Sequence, residues 1–235
     1  MGSEAATSDD DFVKFPRTPH LFWLGETAPR GDKLLDGETA AELLRKPFIA
    51  EEKVDGANLG LSVDASGRVR AQNRGAYLEG RTLPQFKPLS AWLAPREQVL
   101  REALGGGLIL FGEWCYARHT VVYDALPDWF LAFDVYDRAA GRFWSRERRD
   151  VLVRRMGLAS VPLLGAGLLD RRGIEKLMGA SLVGSVPVEG AYLRWEDGDW
   201  LDARAKVVRR GWVQPDEEHW SKRAVEPNRL VGSSR

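Results

Sequence analysis

The chain has 235 residues, 34 of them basic and 34 acidic, with 44% hydrophobic content, enough for one good-sized domain or two small lobes around a normal core. A single cysteine, Cys115, excludes a disulfide framework and a Cys-ligated zinc site, and His20, His119 and His219 show no metal-ligand spacing. Balanced charge excludes a protein that coats nucleic acid over its whole surface, though a local basic groove stays open, and no apolar run approaches a membrane span.

Residues 1–11 are small and acidic and lack the basic and apolar regions of a signal peptide. They read as a disordered leader ahead of a single domain, residues 12–235, in a cytoplasmic protein. Residues 14–25, with Arg17 and His20, carry no motif and read as structural packing. Residues 39–45 predict a short helix stopped by Pro47, and 48–53 a strand running into a lysine. Segments 59–63 and 68–72 alternate apolar and polar residues across Asp64-Ala65-Ser66-Gly67, which predicts a hairpin. Helical spacing over 88–104 is interrupted or started near Pro95 and ends at Gly105-Gly106-Gly107. Strands are expected at 108–116 and 129–136. Ser145 reads as the N-cap of a helix ending near Gly157, and a further helix is expected at 171–178. The last unit is a hairpin, 190–195 with 200–208, around Asp197-Gly198. Strands pairing mostly with sequence neighbours, with few helices between them, predict an α+β fold with antiparallel sheets.

The chemistry concentrates in Glu51-Glu52-Lys53-Val54-Asp55-Gly56-Ala57-Asn58. Lysine is a poor nucleophile, since a pKa of about 10.4 leaves well under one per cent uncharged at neutral pH. It becomes useful where desolvation or a nearby cation destabilises the ammonium. Downstream pieces are ambiguous one at a time. Glu113, in Phe111-Gly112-Glu113-Trp114, reads equally as a solvated carboxylate on a strand edge. Phe130 and Phe133 read as core, and Glu189-Gly190 as the surface start of a strand. In Arg204-Ala205-Lys206 both cations share one strand face, which a solvated basic surface would also explain.

In order and rough separation these pieces resemble the covalent nucleotidyltransferase superfamily of ligases and capping enzymes, from about Phe48 to Lys206. Motif I matches Lys53-Val54-Asp55-Gly56, motif III Phe111-Gly112-Glu113, motif IIIa Phe133-Asp134, motif IV Val188-Glu189-Gly190 and motif V Arg204-Ala205-Lys206. The resemblance implies an antiparallel-sheet nucleotidyltransferase (ATP-grasp-like) domain in which Lys53 attacks the α-phosphate of ATP and becomes lysyl-AMP. It implies Lys206 and Arg204 on the α-phosphate, and Glu189 on a hydrated Mg²⁺ or Mn²⁺ with Asn58 acting through water. Glu113 would accept from the ribose hydroxyls and Phe133 would stack on adenine; Phe130 competes for that role, because residues three apart lie on opposite faces of a strand. Glu52 and Arg74 complete the implied nucleotide and phosphate contacts. Asp55 is unexplained, since a carboxylate beside Lys53 would hold it protonated unless tied to a cation or turned away.

Asn58 stands where DNA ligases and capping enzymes usually carry arginine, and this looks like the RNA-ligase branch (RNA ligase 2-like), as does Asn73-Arg74-Gly75. The segments Glu218-His219-Trp220-Ser221-Lys222 and Asn228-Arg229-Leu230 resemble tails of stand-alone bacterial RNA ligases. Motif V commonly reads K-x-K, and Arg204 departs from it. About thirty residues follow Lys206, too few for a C-terminal OB domain, which needs five strands. The implied function is ATP-dependent joining of 5′-phosphate and 3′-hydroxyl RNA ends in RNA repair. The partner would be RNA, as a nicked duplex or broken ends, with room for an end-healing kinase or phosphatase. Arg209 and Arg210 beyond motif V would add to an RNA-backbone groove. The alternatives are a small DNA ligase, a capping-type guanylyltransferase, or an inactive RNA- or nucleotide-binding module.

Overall fold

Side-chain alternation along ten strands layers this chain. The fold is that of a computed structural model, which describes residues 12–25, 33–80, 83–210 and 225–232. The segments at 1–11 and 218–222 lie outside the described residues. Strands β1 (Phe48–Lys53), β8 (Leu163–Gly167), β9 (Gly190–Asp197) and β10 (Trp200–Val208) form an antiparallel sheet in the order β10-β9-β1-β8. A second sheet runs β3-β2-β4-β5-β6, from β2 (Ala57–Val63), β3 (Val69–Gln72), β4 (Leu108–Trp114), β5 (Phe130–Asp137) and β6 (Arg142–Phe143). The short strand β7 (Ala159–Ser160) lies parallel to β5.

Each sheet buries one face under helices. In the first, Phe48, Ala50, Leu193, Trp195, Ala205 and Val207 pack against Leu43 of α1 (Gly37–Leu44) and Ile174 of α5 (Arg171–Leu177). In the second, Leu59, Leu61, Leu110, Trp114, Phe130 and Val135 meet Trp92 of α2 (Leu89–Leu93), Leu100 and Leu104 of α3 (Glu97–Leu104), and Val153 of α4 (Arg146–Arg155). At roughly 1.5–3 kcal/mol for each fully buried Leu or Phe, these outer layers dominate the fold's apolar stabilisation. The expected helix at 88–104 is two helices, because Pro95, which has no N–H, sits in a 3-10 turn between them. Ser145 caps α4 as expected, accepting from the Arg148 N–H.

Period-two alternation sends the other side chains into the seam between the sheets. That seam is polar. Glu51, Arg149, Arg194 and Asp134 are each 0% exposed. Arg149 grips Glu51 through two nitrogens, at 2.6 and 3.2 Å, and Arg146 reaches the same carboxylate at 3.0 Å. Arg194 of the first sheet pairs with Asp134 of the second, and Arg204 meets Asp134 at 2.8 Å.

Two expectations are revised. Pairing is local for β2–β3, β4–β5 and β9–β10, but β1 pairs with β8 and β9, far away in sequence, and none of its neighbours is β2. The chain therefore crosses from one sheet to the other at Val54-Asp55-Gly56, directly behind Lys53. Residues 18–21 are also more than packing. Lys206 donates its N–H to the Pro19 carbonyl and accepts from the Leu21 N–H, both at 2.9 Å, so this segment pairs with the outer edge of β10.

Candidate active site

Lys53 ends β1 on the seam side, and its Nζ donates to Glu189 Oε1 at 2.6 Å across the junction leading into β9. Gly190 follows Glu189, and a Cβ there would collide with the Val207 carbonyl of β10. Glycine is therefore what lets β9 enter close enough to bring Glu189 to the lysine. Across the seam, Asn58 of β2 is the cross-strand partner of Glu113 of β4. Glu113 Oε1 accepts from the Gly56 N–H at 3.0 Å. Gly56 is constrained like Gly190, since a Cβ on it would lie 2.6 Å from the Trp114 carbonyl.

The electrostatics follow from three carboxylates crowded into a buried space. Burial pushes Glu113 up to about 7, with Asp55 and Glu189 adding repulsion and Lys53 only partly offsetting it. Burial likewise pushes Glu189 up to about 7, against the pull of Lys53 and Lys206. For Lys53 burial opposes the ammonium, but Glu189, Glu113 and Asp55 outweigh it and hold the pKa above the ordinary lysine value. Lys53, Asp55, Glu113, Glu189 and Lys206 therefore lie within electrostatic range of one another.

That site fits a hydrated divalent cation. Glu189 Oε2 and Asn58 Oδ1 are buried with no hydrogen-bond partner. An excess of buried carboxylate beside two orphaned oxygens favours added positive charge. Among the described residues no cluster of three or more acidic, His or Cys ligands forms a protein cage. This suits Mg²⁺, which keeps much of its water and uses one or two carboxylates.

The structure separates the two phenylalanines. Phe130 is fully buried against Trp92 beneath the second sheet. Phe133 is the extra residue of a β-bulge: Phe111 faces Asp134 while Gly112 faces Ala132. A bulge puts two successive residues on one side of the strand, so Phe133 and Asp134 both turn into the seam. Phe15 braces the Phe133 ring edge-on at 5.1 Å, and Arg149 and Arg194 both donate to the Phe133 carbonyl. No sequence motif marked Phe15, Arg149 or Arg194; the available signal was charge alternating with apolar residues along Leu193-Arg194-Trp195.

The remaining candidates are placed as follows. Arg204 shares a strand face with Lys206, but its guanidinium is engaged with Asp134 and with the Tyr192 hydroxyl at 3.2 Å, and it stacks 3.9 Å from the Phe143 ring. To hold a phosphate it would have to release Asp134. Glu52 is buried, and its carboxylate accepts from the Ser181 hydroxyl and, at 3.0 Å, from the Leu182 N–H. Arg74 lies exposed on the turn after β3. Asp55 is turned away from Lys53: its Oδ2 accepts from the N–H groups of Thr120 and Val121 at 2.7 and 3.0 Å. Backbone amides take up that charge, and His119 Nδ1 lies 4.0 Å from the other oxygen.

The fold has counterparts among solved structures. The chain spans 82–84% of its own length in superpositions on chains of a Naegleria gruberi RNA ligase. With its pyrophosphate-bound form the TM-score is 0.60 at 16% identity, covering 84% of this chain and 56% of that one. Two mutants of that ligase solved with ATP and Mn give TM-scores of 0.58 and 0.57, at 16% and 20% identity. They cover 84% and 82% of this chain, and 56% and 61% of the matched chains. This chain thus corresponds to little more than half of the Naegleria chains. Comparison with curated proteins gives no match. Among the described residues no helix is long and apolar enough to cross a membrane. The model of the RNA ligase family matches residues 46–208, from β1 to the end of β10 and so across every strand of both sheets, and the chain belongs to the RNA ligase family.

Proposed function

We propose that this protein is an ATP-dependent RNA ligase that joins 5′-phosphate and 3′-hydroxyl ends through a lysyl-AMP intermediate. The observation that carries the reading is the Lys53–Glu189 contact at 2.6 Å in a seam also lined by Glu113, Asn58 and Lys206. The Naegleria ligase structures with ATP and Mn support ATP as substrate and a divalent cation as cofactor.

In the first step the neutral Lys53 amine attacks the α-phosphate. An N–P bond forms, the bond to the pyrophosphate oxygen breaks with its electron pair leaving on pyrophosphate, and the amine proton goes to solvent or a neighbouring base. Phosphoryl transfer depends mainly on positioning and on neutralising the equatorial oxygens. Lys206, fixed by strand pairing on both sides, supplies a cation for that purpose. Glu113 serves the ribose hydroxyls and Phe133 the adenine face. Glu189, with Asn58 through water, would hold Mg²⁺ or Mn²⁺, whose charge offsets the carboxylates that otherwise keep Lys53 protonated. Arg204 acts here through Asp134, beside Phe133. The later steps pass AMP to an RNA 5′-phosphate, and a 3′-hydroxyl then displaces it. Arg74 and the Arg209–Arg210 pair are the candidate contacts for the RNA backbone. RNA repair in the cytoplasm, with an end-healing kinase or phosphatase preparing the ends, belongs to the same reading.

Incubation with Mg²⁺ and ATP labelled at the α-phosphate should leave acid-labile label on the protein, and Lys53→Ala should abolish it. Equal labelling of that variant refutes the reading. Nicks ending in a ribose 3′-hydroxyl should be sealed faster than all-DNA nicks; equal rates would point to the DNA-ligase alternative, and preference for labelled GTP to a capping-type enzyme.

A further inference from the structure

Residues 225–232 lie beyond the part of the chain that the family matches, yet they are tied to the connection between β4 and β5. Arg118 donates to the Glu226 carbonyl at 2.7 Å, and Arg229 to the Tyr123 carbonyl at 2.9 Å. Leu126 and Val231 add bonds of 3.1 and 2.8 Å to Arg229 and Leu126 carbonyls. At the centre sits Asn228, 4% exposed, with its amide spent on the loop. Its Oδ1 accepts from the Tyr123 N–H at 2.9 Å, and its Nδ2 donates to the Cys115 and Ala117 carbonyls at 2.8 and 3.4 Å. Its own N–H donates to the Tyr116 carbonyl at 2.8 Å. A buried amide satisfied in this way is costly to replace, because each lost bond strands a backbone group.

The clasped loop is the one that grips the turn behind Lys53. Thr120 and Val121 hold the Asp55 carboxylate, and the Tyr123 hydroxyl accepts from the Asp55 N–H at 2.8 Å. Tyr123, itself 0% exposed, is the shared part: Asn228 fixes its backbone, and its hydroxyl fixes Asp55. A route of direct hydrogen bonds therefore runs from Asn228 through Tyr123 to Asp55, two residues from the lysine.

We propose that Asn228 is a positioning residue for Lys53, clamping the 115–126 loop so that the motif I turn holds the amine in line for attack. The inference rests on the reading of Lys53 as the adenylylated residue. Phe133 and Lys206 reach the site from β5 and β10 and only Glu113 touches the clamped turn, through the Gly56 N–H, so most of the nucleotide contacts do not pass through this clamp. Reactivity and ATP affinity should separate.

The test uses the full chain and single-turnover label transfer from α-labelled ATP, below each variant's melting temperature. Asn228→Ala should lower the rate at saturating ATP about 10- to 100-fold, the scale of an ångström-sized misplacement, and leave the half-saturating ATP concentration within about twofold. Tyr123→Phe, which removes one hydroxyl, should lower the same rate. The double variant should be no slower than the slower single variant to within about threefold, because both act on one route. Hydrogen exchange should quicken at 54–56 and 119–123 in Asn228→Ala while β4 and β5 stay protected. An unchanged rate, a loss that merely follows the unfolded fraction, or multiplicative effects in the double variant overturns the proposal. If Asn228→Ala does not fold, the Tyr123→Phe rate decides. If the wild-type protein takes no label, the ligase reading fails and exchange at 54–56 alone decides whether the clamp exists.

Discussion

Replacing Arg149 by methionine tests whether the seam between the sheets is held by ions. Arg149 and Glu51 are both 0% exposed. The guanidinium makes two bonds to Glu51, at 2.6 and 3.2 Å, two to Asp150, at 2.9 and 2.8 Å, and one to the Phe133 carbonyl. Removing it leaves Glu51 with Arg146 at 3.0 Å and a distant Arg194 at 3.8 Å, and takes one of two donors from the Phe133 carbonyl. Breaking a buried pair from one side typically costs about 3–5 kcal/mol, since a buried charge is left under-compensated. For a domain of this size that corresponds to a fall in melting temperature of about 10 °C. Glu51→Leu with Arg149→Met removes both charges, and buried pairs replaced by apolar residues are often neutral to within about 1–2 kcal/mol. The double variant should therefore be more stable than Arg149→Met, a coupling that urea titration of the wild type, both single variants and the double would measure. A single-variant loss below about 1 kcal/mol, or additive losses in the double, would show that the ion pair does not hold the seam.

Gly56→Ala places a methyl group against the Trp114 carbonyl at 2.6 Å, and neither backbone can yield without shifting motif I. A loss of about 1–3 kcal/mol in denaturant titration, with label transfer reduced further than stability explains, is expected. Phe130→Ala should cost about 3–5 kcal/mol by opening a cavity against Trp92, whereas Phe133→Ala should lower stability less and raise the ATP concentration needed for half-maximal labelling. Glu113, pushed up to about 7 from an unfolded value of 4.5, binds its proton more tightly when folded. Its contribution is full below pH 4.5 and lost as pH rises through about 7, so thermal melts of metal-free protein should show that decline flattened in Glu113→Gln.

Legibility from sequence followed the range of each interaction. Strand β1, the β2–β3 hairpin and the Ser145-capped helix were readable because alternation, turn residues and caps are local signals. Strand β8, Leu163-Leu164-Gly165-Ala166-Gly167, has no polar alternation and two glycines; it is a strand because β1 offers it an edge. The pairing of β1 with β9 has no local signature, because it is selected by two apolar faces meeting under α1 and α5. At the site, ordered motifs singled out Lys53, Glu113, Glu189 and Lys206, which are far apart in sequence and which the fold brings within electrostatic range of one another. Arg204 read as a second phosphate cation because spacing shows only that it shares a face with Lys206; its engagement with Asp134 depends on a bulge one sheet away. Tyr123 was beyond reach for the same reason, and Asn228, though part of a tail that resembles RNA ligases, gave no sign of its contacts, each residue acting through a partner more than sixty residues away.

On the proposed reading, the seam is where catalysis and folding share one set of charges. Apolar residues occupy the outward faces of both sheets, so inward positions are free to be polar, and apart from the cluster of Phe15, Ile109 and Phe111 many of them carry ionisable groups. At one end of the seam acids and bases balance: Glu51, Asp134, Asp150 and Glu196 against Arg146, Arg149, Arg194 and Arg204, closed by direct contacts. At the other end they do not. Glu189 contacts Lys53, Glu113 and Asp55 add negative charge near it, two buried oxygens remain without partners, and Glu113 and Glu189 are driven toward neutrality. An imbalance of that kind is costly in a purely structural core, where it would be relieved by substitution. It becomes useful if a hydrated cation and a triphosphate complete the charge set, because the ligands that neutralise the carboxylates also free the Lys53 amine to react. Asp55 fits this logic, since tying it to the 119–123 loop keeps the motif I carboxylate from competing with Glu189 for the lysine.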